Sequence, residues 1–530
     1  MPKNQVNIYP YDPNAASVGD FGLAVYYDSN EDELVKESYT LYGFNQFVSD
    51  KIGVSRQLSD VRHRQCKNFK YPDFQVKVSV IIVFYDEGWS TLWRTVTSVL
   101  NTSPQNSIKE VILVDDHSTM AHLEQPLDDY VALFNGLVKV VRSPAHEGLI
   151  SARILGANAA TGDYLVFLDS HCEATIGWLE PLIFPIINDY RTVTCPTIDI
   201  IDHNTFEYRI YGDMHGSTAR GTFSWQFYYK ERQLNEEQKR ERKSIVDPVP
   251  SPVMAGGLFA ISKKWWKILG GYDPGLFAWG GEQYELSFKV WMCQGSMYNI
   301  PCSHIGHVYR GPGLIRKDQG IHRRHPNSLH VNYKRVAEVW MDDYKYFLYS
   351  KMPQIASARN WDYGIEDIKM LRIHLGCKTF KWYLENVVND TLYTAYEPDR
   401  AWNVIKNQKT EHCLNYNPSK LESCSFSTKF RWTWINEIRD DEKCITSENN
   451  GVKLDWCHEK QKNQHFIFHS TSKHIYSTYQ KLCLSSDADN NVFLKECEND
   501  NDYQKWIVEW KDLSNVEPWS VWALHPPRKP

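Results

Sequence analysis

Short apolar runs alternate along this chain with longer segments whose apolar residues recur every three or four positions. Val78 to Phe84 reads VSVIIVF, the signature of a buried strand. Trp89, Leu92, Trp93, Val96, Val99 and Leu100 then follow at helical spacing. Val111 to Val114 and Leu137 to Val141 predict a second and a third strand. Ser151 to Ala160 predicts a helix carrying Arg153, and Leu165 to Leu168 a fourth strand. Strand–helix alternation over about a hundred residues means βαβ units and a mostly parallel sheet. Residues 1–75 are polar, with scattered apolar positions. They predict an irregular lead-in that wraps a domain beginning near residue 76.

The fourth strand stops abruptly in Asp169-Ser170-His171-Cys172-Glu173. Ligands of open α/β sheets bind beyond the carboxyl ends of such strands. In an extended segment, residues two apart face the same way. Asp169 and His171 would then offer one carboxylate oxygen and one imidazole nitrogen to a divalent cation. That mixture suits Mn²⁺ without excluding other first-row metals. A bare D-x-H is otherwise a solvated strand end. Neither G-x-G-x-x-G after the first strand nor G-x-x-x-x-G-K-[ST] anywhere is present. A nucleotide diphosphate would need another source of positive charge, which a cation at Asp169 and His171 supplies in the manner of nucleotide-sugar transferases. Asp115 and Asp116, ending the second strand, are placed for a base or ribose, or form an acidic strand end.

Composition narrows the class. A chain of 530 residues exceeds one ordinary core and predicts two or three domains. The formal net charge of −6 gives no polycation for nucleic acid. Lys239-Arg240-Glu241-Arg242-Lys243 is short and mixed, as on a solvated helix face. No stretch approaches the roughly 18 apolar residues of a membrane span. Met1 to Asp20 has no apolar core of a signal peptide. Twelve cysteines point the other way, to an oxidising compartment. The last six form three pairs with 10, 12 and 13 residues between partners, as local disulfides would. No C-x-x-C occurs, which argues against structural zinc. Asn101-Thr-Ser and Asn389-Asp-Thr are N-glycosylation triplets.

Several runs together carry a family resemblance: Val80-IIVFYDEGWSTLWRTVTSVL, Ile112-LVDD, Glu147-GLISAR, Leu168-DSHCE, Val253-MAGGLFAI, Ala278-WGGEQYELSFKVWMC, Ile305-GHVYR and Arg335-VAEVWMD. In sequence and order they resemble the polypeptide N-acetylgalactosaminyltransferases, over nearly the whole chain. GGEQYE and FKVWMC are most similar to the branch that prefers acceptors already carrying sugar. The resemblance implies a Rossmann-like GT-A catalytic domain, an α/β fold, followed by a ricin-type β-trefoil lectin domain. It implies Mn²⁺-dependent transfer of N-acetylgalactosamine (GalNAc) from UDP-GalNAc to Ser/Thr hydroxyls of peptides or glycopeptides, with retention and without a protein nucleophile. It implies Asp169, His171 and His307 as metal ligands. Arg310 would face the diphosphate, Asp116 the uridine and Arg153 the nucleotide. Gly256 and Gly257 would let backbone approach the sugar, with Trp279 and Glu282 on the donor side. Glu285 and Glu173 are open between site and structure. The expected compartment is the Golgi lumen.

Two stretches depart from the family pattern. After Arg310 the segment Gly311-Pro-Gly-Leu-Ile-Arg-Lys-Asp-Gln-Gly-Ile-His-Arg-Arg-His-Pro-Asn is basic and glycine-rich and lacks the family's Pro-Tyr. His322 and His325 there read as a solvated loop. A changed lid would alter acceptor range or turnover, and a non-catalytic paralogue that binds or regulates is the alternative. In the trefoil, Gln504-Lys-Trp506 is an intact Q-x-W and Gln464-His-Phe466 a degenerate one. The family's sugar-binding C-x-D positions hold Asn415, Thr446 and Ser485, so the carboxylate acceptor is missing. This predicts an intact trefoil with weak or absent sugar binding. By resemblance the disulfides are Cys66–Cys302, Cys293–Cys377, Cys413–Cys424, Cys444–Cys457 and Cys483–Cys497, leaving Cys172 and Cys195 free. The expected domains are 1–75 lead-in, 76–390 catalytic, 391–408 linker, 409–512 trefoil and 513–530 tail.

Overall fold

Seven consecutive buried residues, Val78–Phe84, form β1 at the middle of a ten-stranded sheet. Both faces of this strand are covered, which is why the run is continuously apolar instead of alternating. The computed structural model describes residues 18–72, 75–211, 219–234, 236–311, 327–388, 400–433, 435–440, 443–458 and 462–510. The chain divides into two units, Met1–Val388 and Asn389–Pro530.

In the first unit, β2 (Ile108–Asp115), β3 (Val138–Arg142) and β4 (Tyr164–Asp169) join β1. The pairings among these four strands are parallel. Next come β5 (Cys172–Ala174), β6 (Thr192–Ile201), β7 (Tyr208–Arg209) and a hairpin of β8 (Ala219–Phe223) and β9 (Tyr229–Gln233). They are followed by β10 (Val249–Pro250), β11 (Phe259–Ser262) and β12 (Ser296–Val308). The sheet order is β10-β12-β6-β11-β4-β1-β2-β3, with β5 on β12 and β7 on β6. β11 runs antiparallel to both β4 and β6, so it separates two parallel sets. The register of β5 on β12 sets His307 opposite Cys172, one residue from His171. Helix Leu149–Ala159 packs on β1 and β2. Gly156 permits this close approach, because a Cβ there would come within 2.5 Å of Ile81 Cγ2.

The lead-in is more ordered than its polarity suggests. It contains helices Asp32–Tyr42, Gln46–Lys51 and Arg64–Asn68. The second is fixed by hydrogen bonds as well as apolar contact. Gln46 Nε2 donates to Ser90 Oγ at 2.7 Å, and Ser49 Oγ lies 3.0 Å from Thr91 Oγ1, on helix Trp89–Thr102. Polar docking of this kind leaves no apolar periodicity to read. The Cys66–Cys302 disulfide fastens the lead-in to β12, and Cys293–Cys377 bridges two later segments. Cys172 and Cys195 are free and buried. Glu173 is buried between two arginines, 2.8 Å from Arg56 Nε and 3.1 Å from Arg94 Nε. It therefore holds the lead-in to the sheet.

The second unit is built from three antiparallel sheets. Their inner faces share a core that includes Leu414, Phe430, Trp432, Ile445, Phe466, Ile475, Leu484 and Trp506. Disulfides join Cys413–Cys424, Cys444–Cys457 and Cys483–Cys497. Gln504 closes its repeat by donating from Nε2 to Glu496 O and accepting from Glu498 N, both at 2.8 Å. The degenerate copy does the same work: Gln464 donates to Trp456 O and accepts from His458 N. The linker expected over 391–408 ends earlier than that. Ala401–Asn403 and Lys406–Asn407 are already strands paired within this unit, because their partners lie far along the chain at Phe430–Trp432 and Trp506–Ile507.

Removing Glu173 would leave Arg56 and Arg94 as buried cations without their counter-ion. Glu173→Ala should lose about 3–5 kcal/mol of unfolding free energy, measured by urea denaturation. A loss under about 1 kcal/mol, the scale of an exposed pair, would contradict this reading.

Candidate functional site

Three side chains converge beyond the carboxyl end of β4. Asp169 is the strand's last residue, and His171 lies in the turn between β4 and β5. An extended D-x-H was expected, but a turn brings the two together. His171 is fixed by its backbone, whose carbonyl accepts from Val308 N at 3.0 Å. His307 comes from β12. One ligand atom from each of Asp169, His171 and His307 can lie within 4.8 Å of the others. Asp169 Oδ2 is 3.2 Å from His307 Nε2, and the two imidazole centroids are 4.7 Å apart.

The electrostatics keep the carboxylate charged. Burial works against ionisation, yet the His307 hydrogen bond and the Arg153 charge hold Asp169 well below the usual carboxylate range. His307 is pushed down, chiefly by burial and despite Asp169, so its neutral form is favoured. His307 Nδ1 is buried and has no hydrogen-bond partner in the chain. An anionic oxygen, two imidazoles and an orphaned ring nitrogen fit a first-row divalent cation such as Mn²⁺. Two other groupings, Glu437 with Cys444 and Cys457 and His474 with Cys483 and Cys497, do not, because their cysteines are in disulfides.

Arg153 is buried beneath this cluster. It donates to Gly256 O at 2.6 Å, to Gly257 O at 2.9 Å and to Asp169 Oδ1 at 3.1 Å. It thus ties the metal-site carboxylate to the glycine pair. Gly256 has φ +107°, a conformation that disfavours a side chain. A Cβ on Gly257 would come within 2.9 Å of Asp169 Oδ2. Glu282 begins helix Glu282–Met292 and is buried, with Oε2 lacking a partner. Burial raises its pKa while Arg153 opposes the rise. The turn before it, with φ +92° and +94° at Gly280 and Gly281, is held by Asn332. Asn332 donates to Phe277 O and Gly280 O and accepts from Phe277 N. Trp279 on that turn is 57% exposed. Glu285, one helical turn on, forms an ion pair with buried Lys289 at 2.7 Å. Burial pushes its carboxyl up to about 7.

Two expected residues have different surroundings. Asp116 is buried, and its carboxylate accepts from Glu147 N at 2.9 Å and Gly148 N at 2.8 Å and lies 2.7 Å from His146 Nδ1. It shapes the turn that opens helix Leu149–Ala159. Arg310 is exposed, with its side chain against Gly43 of the lead-in. His322 and His325 lie outside the described residues. Glu173 belongs to the Arg56–Arg94 cluster and not to this site.

Sequence reasoning missed Glu87, Phe44 and Asn332. Glu87 Oε2 is 3.0 Å from His171 Nδ1 and accepts from Ser170 Oγ at 2.7 Å. Its position just after β1 was a usable signal, since carboxyl ends of strands line such sites. Phe44, whose ring centre is 6.1 Å from that of His171, comes from the lead-in, where no motif marks it.

Comparison with known proteins supplies a family frame. Residues 79–266 match the model of glycosyl transferase family 2, and 242–311 that of the N-terminal domain of galactosyltransferase. Residues 401–506 match the ricin-type beta-trefoil lectin domain. Polypeptide N-acetylgalactosaminyltransferase 10 of Mus musculus is 41% identical over 518 residues, covering 93% of this chain and 83% of that protein. N-acetylgalactosaminyltransferase 6 of Drosophila melanogaster is 41% identical over 505 residues, covering 90% and 74%. A crystal structure of GalNAc-T7 with UDP, GalNAc and Mn²⁺ superposes with TM-score 0.69 at 34% identity, covering 95% of both chains.

A methyl group on Gly257 must displace the Asp169 carboxylate. Gly257→Ala should cost on the order of 100-fold in kcat/KM, the scale of a misplacement of about 1 Å. Its unfolding temperature, followed by circular dichroism, should stay near the parent value. An unchanged kcat/KM would contradict the packing argument.

Proposed function

The chain belongs to the polypeptide N-acetylgalactosaminyltransferase family, and on that premise we propose that it transfers GalNAc from UDP-GalNAc to Ser or Thr of polypeptides, with retention, Mn²⁺ dependence and a preference for acceptors that already carry sugar. The observation that carries this reading is the convergence of Asp169, His171 and His307 beside Gly256 and Gly257. Asp169, His171 and His307 would hold the Mn²⁺ ion, which supplies charge stabilisation for a departing diphosphate when bound.

The remaining work falls to the chain itself. Arg153 fixes Asp169 and the glycine pair as one unit, so the charge and the backbone facing the sugar cannot drift apart. Glu282 Oε2, buried and without an internal partner, is an acceptor for a donor-sugar hydroxyl. Arg310 is free to turn toward a diphosphate, where a guanidinium pairs two oxygens. Trp279 offers an exposed aromatic face beside them. No side chain is assigned as nucleophile or general base. Front-face attack by the acceptor hydroxyl, with its proton leaving on the diphosphate, preserves the anomeric configuration.

The trefoil is proposed to be weak or silent toward carbohydrate. Asn415 is used internally, accepting from Thr428 Oγ1 at 2.9 Å. Thr446 is buried, accepting from Gln464 Nε2 at 2.9 Å, and Ser485 is buried as well. Asp487 is occupied by Asp489 N and Asn491 N. Five disulfides favour the lumen of the secretory pathway, the Golgi by family. Among the described residues no helix is long and apolar enough to cross a membrane.

The test is UDP-GalNAc turnover with Mn²⁺ on naked and pre-glycosylated Ser/Thr peptides. Transfer should disappear with EDTA and return with Mn²⁺, and Asp169→Ala should abolish it. Pre-glycosylated peptides should be the better acceptors. Donor hydrolysis or binding with no transfer to any acceptor would sink the enzymatic reading.

A further inference from the structure

We propose that Glu87 is a positioning residue for metal binding, fixing the tautomer and ring orientation of His171. The inference rests on the reading of Asp169, His171 and His307 as a cation site and adds a fourth residue that acts through His171 without binding the cation.

Glu87 lies in the loop between β1 and helix Trp89–Thr102, and its carboxylate is buried. Its Oε1 accepts from Gly88 N at 2.9 Å, and its Oε2 accepts from Ser170 Oγ at 2.7 Å. Two donors therefore hold the group in place before His171 is considered. The same Oε2 lies 3.0 Å from His171 Nδ1. A carboxylate can only accept, so at this distance His171 Nδ1 carries the proton and donates it. The competing partner, Ser170 Oγ, is 3.5 Å from Nδ1 and already donates to Glu87. His171 Nε2 is then the lone-pair nitrogen available to a cation. An imidazole flipped to the other tautomer would have no lone pair on Nε2.

The turn is braced from below as well. Ser170 O accepts from Thr95 Oγ1 at 2.9 Å, and His171 O accepts from Val308 N. Backbone contacts thus fix where His171 sits, while Glu87 fixes which nitrogen it presents. Carboxylate–imidazole pairs of this kind orient metal ligands and raise their basicity, and losing one typically weakens metal binding by 10–100-fold.

Two readouts on the whole chain test this, neither of them activity. The first is Mn²⁺ affinity, from the electron paramagnetic resonance of the free ion. The second is the ring-nitrogen spectrum of ¹⁵N-histidine-labelled, metal-free protein, with His171 assigned by His171→Gln. The parent should show His171 protonated at Nδ1. Glu87→Ala should bind Mn²⁺ about 10–100-fold more weakly and lose that tautomer preference. Glu87→Gln, which keeps an acceptor oxygen, should retain the tautomer and lose less affinity. Ser170→Ala controls for disturbance of the loop and should leave the tautomer unchanged. Parent-like Mn²⁺ affinity in Glu87→Ala, with affinity lost in Asp169→Ala, would overturn this inference and leave the metal site standing. Equal, negligible Mn²⁺ binding by the parent and Asp169→Ala would overturn the metal site and this inference with it.

Discussion

A partly buried carboxylate kept as an anion is the constraint on which the first unit is arranged. Asp169 sits at the end of a strand whose four preceding residues, Leu165 to Leu168, are apolar and buried. Charge in such surroundings is costly unless cations or donors meet it. Here Arg153 meets it from a helix and His307 from a strand that is distant in sequence. Arg153 is itself buried, and its Nη1 and Nη2 also hold the Gly256 and Gly257 carbonyls. The sheet topology serves this arrangement. The β5–β12 register carries His307 to His171, and β11 reverses direction so that the segment before it delivers the glycine pair beside Asp169.

A second buried charge cluster lies within the same unit. Glu173, four residues after Asp169, neutralises Arg56 and Arg94 and so joins the lead-in to the sheet. The lead-in in turn places Phe44 beside His171 and Gly43 beside Arg310. Two carboxylates so close in sequence thus have separate duties: Asp169 faces the site, and Glu173 fastens the wall around it. In the second unit the design is apolar. Its three sheets enclose a common core, with the Q-x-W glutamines closing repeats around it.

Much of this was legible in the sequence where the signal was local. VSVIIVF could only be a doubly covered strand, and the D-x-H stood at a carboxyl end where ligands bind. Motifs resembling a known family carried His307, Glu282 and the glycine pair, which no periodicity would have joined. What escaped was relational. The lead-in docks through Gln46, Ser49 and Arg56, polar residues whose partners lie far along the chain. Glu87 looks like any loop acid until the fold sets it against His171. Asp116 and Arg153 were read as facing a nucleotide. Within the chain their hydrogen bonds run to the turn at Glu147 and Gly148 and to the backbone of Gly256 and Gly257, contacts that no motif marked. The trefoil's early start was hidden because strands of two or three residues carry no period.

The most direct test of the central claim is an anomalous diffraction measurement above the manganese absorption edge, on crystals grown with Mn²⁺ and UDP. The account predicts a single strong anomalous peak within bonding distance of an Asp169 oxygen and of one nitrogen each from His171 and His307. A peak held by other residues, or none at this cluster with UDP bound, would contradict it.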